Sequence, residues 1–141
     1  DDIARVEHHV VLTEAEQTAR ICRALSNRYV TMLGHSTGRL LLRRDGYKVN
    51  LDRVIEAAAE HGKMIEINAQ PSRLDLDWPH AKRAKSLGVP LVINPDAHST
   101  GELALVRFGV NVARRAGLTA ADVFNAKGLK EVEKELAKRR G

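Results

Sequence analysis

The sequence predicts an α/β chain of about four strand–helix units, a portion of a barrel-like β/α fold. Three observations carry this reading. Short β-branched runs at 3–11, 29–33, 63–69 and 89–93 alternate with segments of helical period. Turn formers such as Gly62, Gly88 and Pro95 bound the runs. Side chains of ligand type recur just past the C-terminal ends of the runs, the rim where α/β folds gather their chemistry. A closed barrel normally needs about eight strands, so four make part of one.

The first run, Ile3 to Val11, ends among Glu7, His8 and His9, three adjacent potential ligands. Neighbours on a strand point to opposite faces, so at most two of them share a site. A solvated polar turn is the plain alternative. Thr13 and Glu16 form a capping box that starts a helix. Its apolar positions Ala15, Ala19, Cys22 and Leu25, flanked by Ile21 and Ala24, mark one face. The strand at 29–33 then runs into Gly34-His35-Ser36-Thr37-Gly38, an imidazole between two glycines that let backbone approach a ligand. Asn50 or Asp52 caps a helix over 51–61 with Val54, Ile55, Ala58 and Ala59 inward, closed by Gly62.

On the strand at 63–69, Glu66 and Asn68 share a face. Arg73 follows it and suits a substrate phosphate or a surface ion pair. Asp75, Asp77 and Trp78 open the next helix, where acids suit the helix dipole, and Trp78 reads as a packing anchor. That helix runs to about Leu87. After the strand at 89–93, Ser99 and Thr100 cap a helix over 101–116, Thr119 starts a short one, and a solvated helix covers 127–140. Glu131 with Lys134 and Glu135 with Arg139 are spaced to pair along it.

The stretch Ile93-Asn94-Pro95-Asp96-Ala97-His98-Ser99 is the densest in chemistry. Pro95 ends the strand, so Asp96 and His98 lie past its C-terminal end, two residues apart. A hard oxygen donor and an imidazole so placed suit a metal site handling phosphate oxygens. They equally suit an aspartate capping the next helix beside a packed or solvated histidine. Arg39, Arg43, Arg44 and Lys48 cluster after His35 and read either as a phosphate-gripping edge or as a solvated loop.

Composition sets the limits. The chain has 141 residues, 43% apolar and 29% charged, enough for one globular domain with a core. No apolar run is long enough to span a bilayer, so no membrane partner is expected. The one cysteine, Cys22, excludes an internal disulfide and fits a reducing, cytoplasmic setting. A net charge of +5 permits an anionic partner. Aromatics at 4% argue against a reader of nucleic acid built on stacking.

Three motifs in order carry a resemblance: Leu33-Gly34-His35-Ser36-Thr37-Gly38-Arg39-Leu40-Leu41, Glu66-Ile67-Asn68-Ala69-Gln70-Pro71-Ser72-Arg73-Leu74-Asp75-Leu76, and the stretch 93–99. Together they resemble the polymerase-and-histidinol-phosphatase (PHP) domain of bacterial family X DNA polymerases, from about residue 5 to the end. The resemblance implies that residues 1–141 are the C-terminal portion of a distorted (β/α)7 barrel, with the other barrel strands and the polymerase domain upstream. It implies up to three divalent ions, Mn2+ or Zn2+, and a 3′–5′ exonuclease role in DNA repair, with metal-activated hydroxide attacking a DNA phosphodiester at single-stranded 3′ ends. A small-molecule phosphatase of the histidinol-phosphate type, or a decayed segment with a structural role, are its alternatives.

Carried over by residue, His35, Asp96 and His98 are the implied catalytic metal ligands. Asn68, Arg73, Arg39 and Arg43 are the implied substrate contacts. In the first strand Glu7 stands where the family has histidine, so Glu7 is the ligand, or His8 after a one-residue shift. Ser36 replaces a usual proline. The His-x-His motif of the family's first strand is not in this chain, so the isolated chain is expected to be inactive.

Overall fold

The computed structural model describes residues 12–140. Its element order is α1 (Glu14–Ser26), β1 (Met32–Leu33), α2 (Leu51–Glu60), β2 (Met64–Asn68), α3 (Trp78–Ser86), β3 (Leu91–Asn94), α4 (Val106–Arg115) and α5 (Leu129–Arg140). A 3-10 turn over Thr100–Leu105 leads into α4, and two more, Ala120–Asp122 and Phe124–Ala126, precede α5. The three strands form one parallel sheet in the order β1-β2-β3. The predicted first strand, with Glu7, His8 and His9, lies outside the described residues.

Alternation along the strands divides the sheet into two faces. Ile65, Ile67, Leu91 and Ile93 join the main core with Val54, Ile55, Ala58, Ala81, Ala84 and Ala113 from α2, α3 and α4. Met64 and Val92 join a smaller cluster with Phe124, against which Met32 and α5's Val132 and Leu136 pack. Farther along the strands Glu66 alternates with the core residues Ile65 and Ile67, and Asn68 follows it two residues on. Asn94 donates from Nδ2 to Glu66 at 2.9 Å. The Met64 side of β2 is thus apolar at its start and polar at its C-terminal end. Every residue of β2 is buried, which suits a central parallel strand.

α4 lies close against this sheet at Gly109. A Cβ there would lie 2.6 Å from Ile93 Cγ2 and 2.8 Å from Ala69 Cβ, so only glycine lets the helix come so near. The far edge of β3 is closed by the segment before α5. Leu91 bridges Val123 in parallel. Asn125 accepts from the Ile93 N–H at 3.1 Å and donates to the Ile93 carbonyl at 2.7 Å, standing in for a strand neighbour.

Several expectations are corrected. The inward face of α1 is Thr18, Ile21 and Leu25, while Ala15, Ala19 and Ala24 are exposed. Thr18 ties α1 to α2 by accepting from Asn50 N at 2.9 Å while donating to Glu14 O. In α2, Ala57 is buried beside Ala58, and Ala59 is only half-buried. β1 is two residues long because Asn27 pulls the chain before it into a turn: its Oδ1 accepts from Tyr29 N and its carbonyl from Val30 N. Asp75 does not open α3; Asp77 caps it, accepting from His80 N at 3.1 Å. The helix expected over 101–116 begins as a 3-10 turn, and Ser99 makes no side-chain cap bond. The last helix starts at Leu129, not 127; Lys127 just before it pairs with Glu131, and Glu135 pairs with Lys138, while Arg139 reaches the Gly62 carbonyl. The capping boxes at Thr13–Glu16 and Thr119–Asp122 both form. Among the described residues no helix is long and apolar enough to cross a membrane.

Candidate functional site

The polar end of the sheet gathers side chains from three strand ends. Asn68, the last residue of β2, is fully buried and sits at the centre. Its amide nitrogen donates to Asp96 Oδ2 at 3.1 Å and lies 3.4 Å from His35 Nδ1. Its own Oδ1 accepts from Gln70 N at 3.0 Å, which fixes the amide's orientation. One buried amide therefore brings together the loop after β1 and the loop after β3. Arg73 closes the group, with Nε 3.5 Å from Asp96 Oδ2.

His35 (φ 50) and Asp96 (φ 53) both occupy the left-handed region. Neither is glycine, and each such residue costs on the order of 1–3 kcal/mol unless its surroundings hold it. The surroundings do so. The His35 N–H donates to Glu66 Oε2 at 3.0 Å, and Tyr47 Oη donates to the carbonyls of His35 and Ser36 at 3.1 and 2.9 Å. Thr37 donates from N (2.8 Å) and Oγ1 (2.9 Å) to Asp75, which is 1% exposed. Gly38 (φ +65) is needed here twice, for its dihedral and because a Cβ would meet the Tyr47 ring at 2.9 Å. Burial, then the Asp75 carboxylate, raise the Tyr47 phenol above its ordinary value, so it remains a donor at neutral pH.

The sequence-predicted residues divide as follows. His35, Asn68, Arg73 and Asp96 come together. His98 follows Asp96 but is exposed; its Nδ1 lies 2.8 Å from the Asp96 carbonyl, and its N–H donates to Glu102. Arg39 turns its guanidinium onto the carbonyls of Arg73 and Leu74, so it shapes the 70–75 loop. Arg43 is exposed on the loop that Leu40 and Arg44 close. Glu7 and His8 lie outside the described residues. Sequence reasoning missed Tyr47, Thr37 and Asp75 as supports of the His35 loop. The flanking Gly38 and Gly46 were their only local signal: a Cβ on Gly46 would meet Thr37 at 2.9 Å.

Among the described residues no group of three or more His, Cys, Asp or Glu side chains could hold a metal ion. Structural and catalytic ions usually take three or more protein donors. The imidazole of His35 and carboxylate of Asp96, linked through one amide, fit part of a divalent shell, and their mixed chemistry suits zinc and manganese alike.

No family model matches the chain. Among curated proteins it is 41% identical over 125 residues to the DNA polymerase/3′-5′ exonuclease PolX of Bacillus subtilis, covering 89% of this chain and 21% of that protein. It is 30% identical over 114 residues to a probable phosphatase of Thermoanaerobacter sp., covering 77% of this chain and 44% of the relative. A probable phosphatase of Caldanaerobacter subterraneus is 32% identical over 87 residues. The chain thus spans from a fifth to under half the length of the first two relatives. On this similarity the chain belongs with the PHP domains of bacterial family X DNA polymerases and corresponds to their C-terminal part.

Proposed function

We propose that this chain is the C-terminal part of a barrel-shaped, metal-dependent phosphodiesterase that trims DNA 3′ ends in repair, inside the cytoplasm and joined to a polymerase. The observation that carries this is the Asn68-centred cluster: a histidine and an aspartate in left-handed conformations, joined through one buried amide beside an arginine. The name of the Bacillus relative, a polymerase with 3′–5′ exonuclease, supports the substrate class.

In this reading His35, with Glu7 or His8, would help hold one divalent ion, Asp96 a second and His98 a third, and the upstream barrel would supply the remaining donors. Such an ion, Mn2+ or Zn2+, supplies Lewis-acid stabilisation of phosphoryl oxygens and lowers the pKa of water. The chain's own residues do the rest. Asn68 fixes the Asp96 carboxylate by donating to Oδ2. Glu66 and Tyr47 hold the His35 backbone. Arg73, poised on Asp96, turns its fork to a phosphate oxygen when substrate arrives. Arg39 keeps the loop carrying Arg73 in place, and Arg43 meets the DNA backbone. A second reading, hydrolysis of a small phosphomonoester, is favoured by the two relatives named as probable phosphatases.

The test uses the full-length protein with manganese, a single-stranded oligonucleotide and histidinol phosphate. Asp96→Asn and His98→Ala should lower 3′–5′ degradation by about a hundredfold or more, since loss of even an outer-shell partner costs 10–100-fold. Thermal melting should stay near wild type. Preferential cleavage of histidinol phosphate would transfer the assignment to the second reading; full oligonucleotide cleavage by both variants would refute the site.

A further inference from the structure

A second concavity lies beside the candidate site. It measures about 340 Å3 and is lined by Arg39, Leu74, Trp78, Phe108, Asn111 and Arg115, among others. The chain is poor in aromatics, with one Trp and two Phe, yet the Trp and one Phe meet here. Trp78 is 37% exposed at the start of α3, where a pure packing residue would be covered. The Arg115 guanidinium lies 5.1 Å from the Trp78 ring centroid, and Arg107 lies 4.9 Å from that of Phe108. Guanidinium–aromatic pairs of this kind are cationic planar platforms. The acid of the lining, Asp77, is engaged, its Oδ1 taken by His80 N and 2.6 Å from His80 Nδ1.

The concavity is joined to the cluster by a short relay. Arg39 lines it and donates from Nε to the Arg73 carbonyl at 2.8 Å, and Arg73 faces Asp96. An occupant would therefore sit one loop away from a phosphate held at Arg73. Its size is at the lower end of ligand pockets, roughly 300–1,000 Å3. Flat apolar walls, guanidiniums above them and the Asn111 amide at the edge suit a nucleobase: a π-face to stack, an edge to hydrogen-bond and a neighbouring phosphate to neutralise.

We propose that this concavity is a nucleobase subsite. It takes the base of a nucleotide next to the phosphodiester held at Arg73, with Trp78 and Phe108 as stacking surfaces and Arg115 and Arg39 toward the backbone. The subsite rests on the phosphodiesterase reading, because it is the DNA strand that links the two places. It gives the enzyme a grip on an unpaired strand, whose bases are free to splay out, and none on a stacked duplex end.

Binding in the absence of metal separates this subsite from the chemistry. A labelled single-stranded oligonucleotide is titrated into the full-length protein in EDTA, intact or with one abasic position near its 3′ end. Wild type should bind the intact strand about tenfold more tightly, the scale of one lost stacking contact. Trp78→Ala should lose the same factor for the intact strand and no longer distinguish the abasic one. Trp78→Phe, which keeps a ring and the packing, should retain most of the discrimination, so a fold defect in the alanine variant is recognised. Equal binding of intact and abasic strands by wild type, or undiminished discrimination in a folded Trp78→Ala protein, would overturn the subsite. Base-dependent binding without hydrolysis on adding manganese would instead refute the phosphodiesterase reading.

Discussion

Asn68→Asp is the sharpest perturbation of the cluster, because it changes one atom and leaves the shape. The wild-type amide donates to Asp96 Oδ2 at 3.1 Å. The substitution places a second carboxylate oxygen at that distance, in a fully buried position. Two unit charges about 4 Å apart repel by about 4 kcal/mol at an effective dielectric near 20. The Arg73 guanidinium, 3.5 Å from the same oxygen, offsets part of this. A net loss of about 2–3 kcal/mol at pH 8 follows, or about 10 °C in Tm. Asn68→Ala loses two polar contacts and strands the Gln70 N–H, a comparable cost near 2 kcal/mol, so pH distinguishes the two. In Asn68→Asp the repulsion raises the folded-state pKa of the carboxylate pair. The folded protein then holds more protons than the unfolded chain, so stability falls as pH rises through the carboxylate range and returns below about pH 4. The alanine variant shows no such dependence. A divalent cation should raise the aspartate variant by more than it raises the alanine variant, because only the former gains a second carboxylate for the ion to neutralise. The assay is thermal melting of the full-length protein from pH 4 to 8, with EDTA or manganese. An aspartate variant as stable as wild type at pH 8 in EDTA would refute the geometry.

Three other outcomes are expected. Gly109→Ala should destabilise: helix propensity gains about 1 kcal/mol, but a Cβ 2.6 Å from Ile93 forces repacking that costs about 1–3 kcal/mol, so a lowered denaturation midpoint is expected where Gly101→Ala, with open space around it, shows none. Tyr47→Phe removes the hydroxyl that holds the His35 and Ser36 carbonyls. It should cost about 1 kcal/mol and lower metal-dependent activity, read by melting and single-turnover cleavage. In the wild type the raised phenol loses its stabilising contribution as pH climbs above 10. Glu16 and Asp122 are both held below the ordinary carboxylate range, chiefly by the backbone N–H groups of Thr13 and Thr119. Their contribution is present above pH 4 and lost as pH falls below it. Urea midpoints from pH 6 to 3 should drop less in a Glu16→Gln, Asp122→Asn protein, which lacks both titrating carboxylates.

The strand–helix alternation was legible because buried parallel strands are short apolar runs and their helices carry explicit caps. Thr13, Asn50 and Asp77 all cap as side-chain chemistry dictates. The placement of Asn68 and Asp96 on the rim was legible because Asn68 ends β2 and Asp96 follows just past the end of β3. The facing of α1 was not: alanines read as apolar, yet they lie on the outer surface, since a half-buried helix tolerates Ala on either side. The supports of His35 were hidden for another reason. Tyr47 lies twelve positions from His35, and Asp75 lies thirty-eight from its partner Thr37. No periodicity connects residues that meet only when two loops cross. Asp75 read as an acid of a helix start, because nothing local signals that a carboxylate is buried.

Asn125 gives the sheet a direction of growth. On the outer side of β3 the main-chain groups that an added strand would seek are taken: Leu91 meets Val123, and both groups of Ile93 are held by one side-chain amide. An edge so occupied templates nothing, neither a further strand nor a second copy of the chain. A strand that extends this sheet enters beside β1 or beyond the 120–126 segment, not directly against β3. Deleting the amide, as in Asn125→Ala, would free both polar groups of Ile93 and turn a finished border into a sticky one, so self-association would be the first sign of its loss.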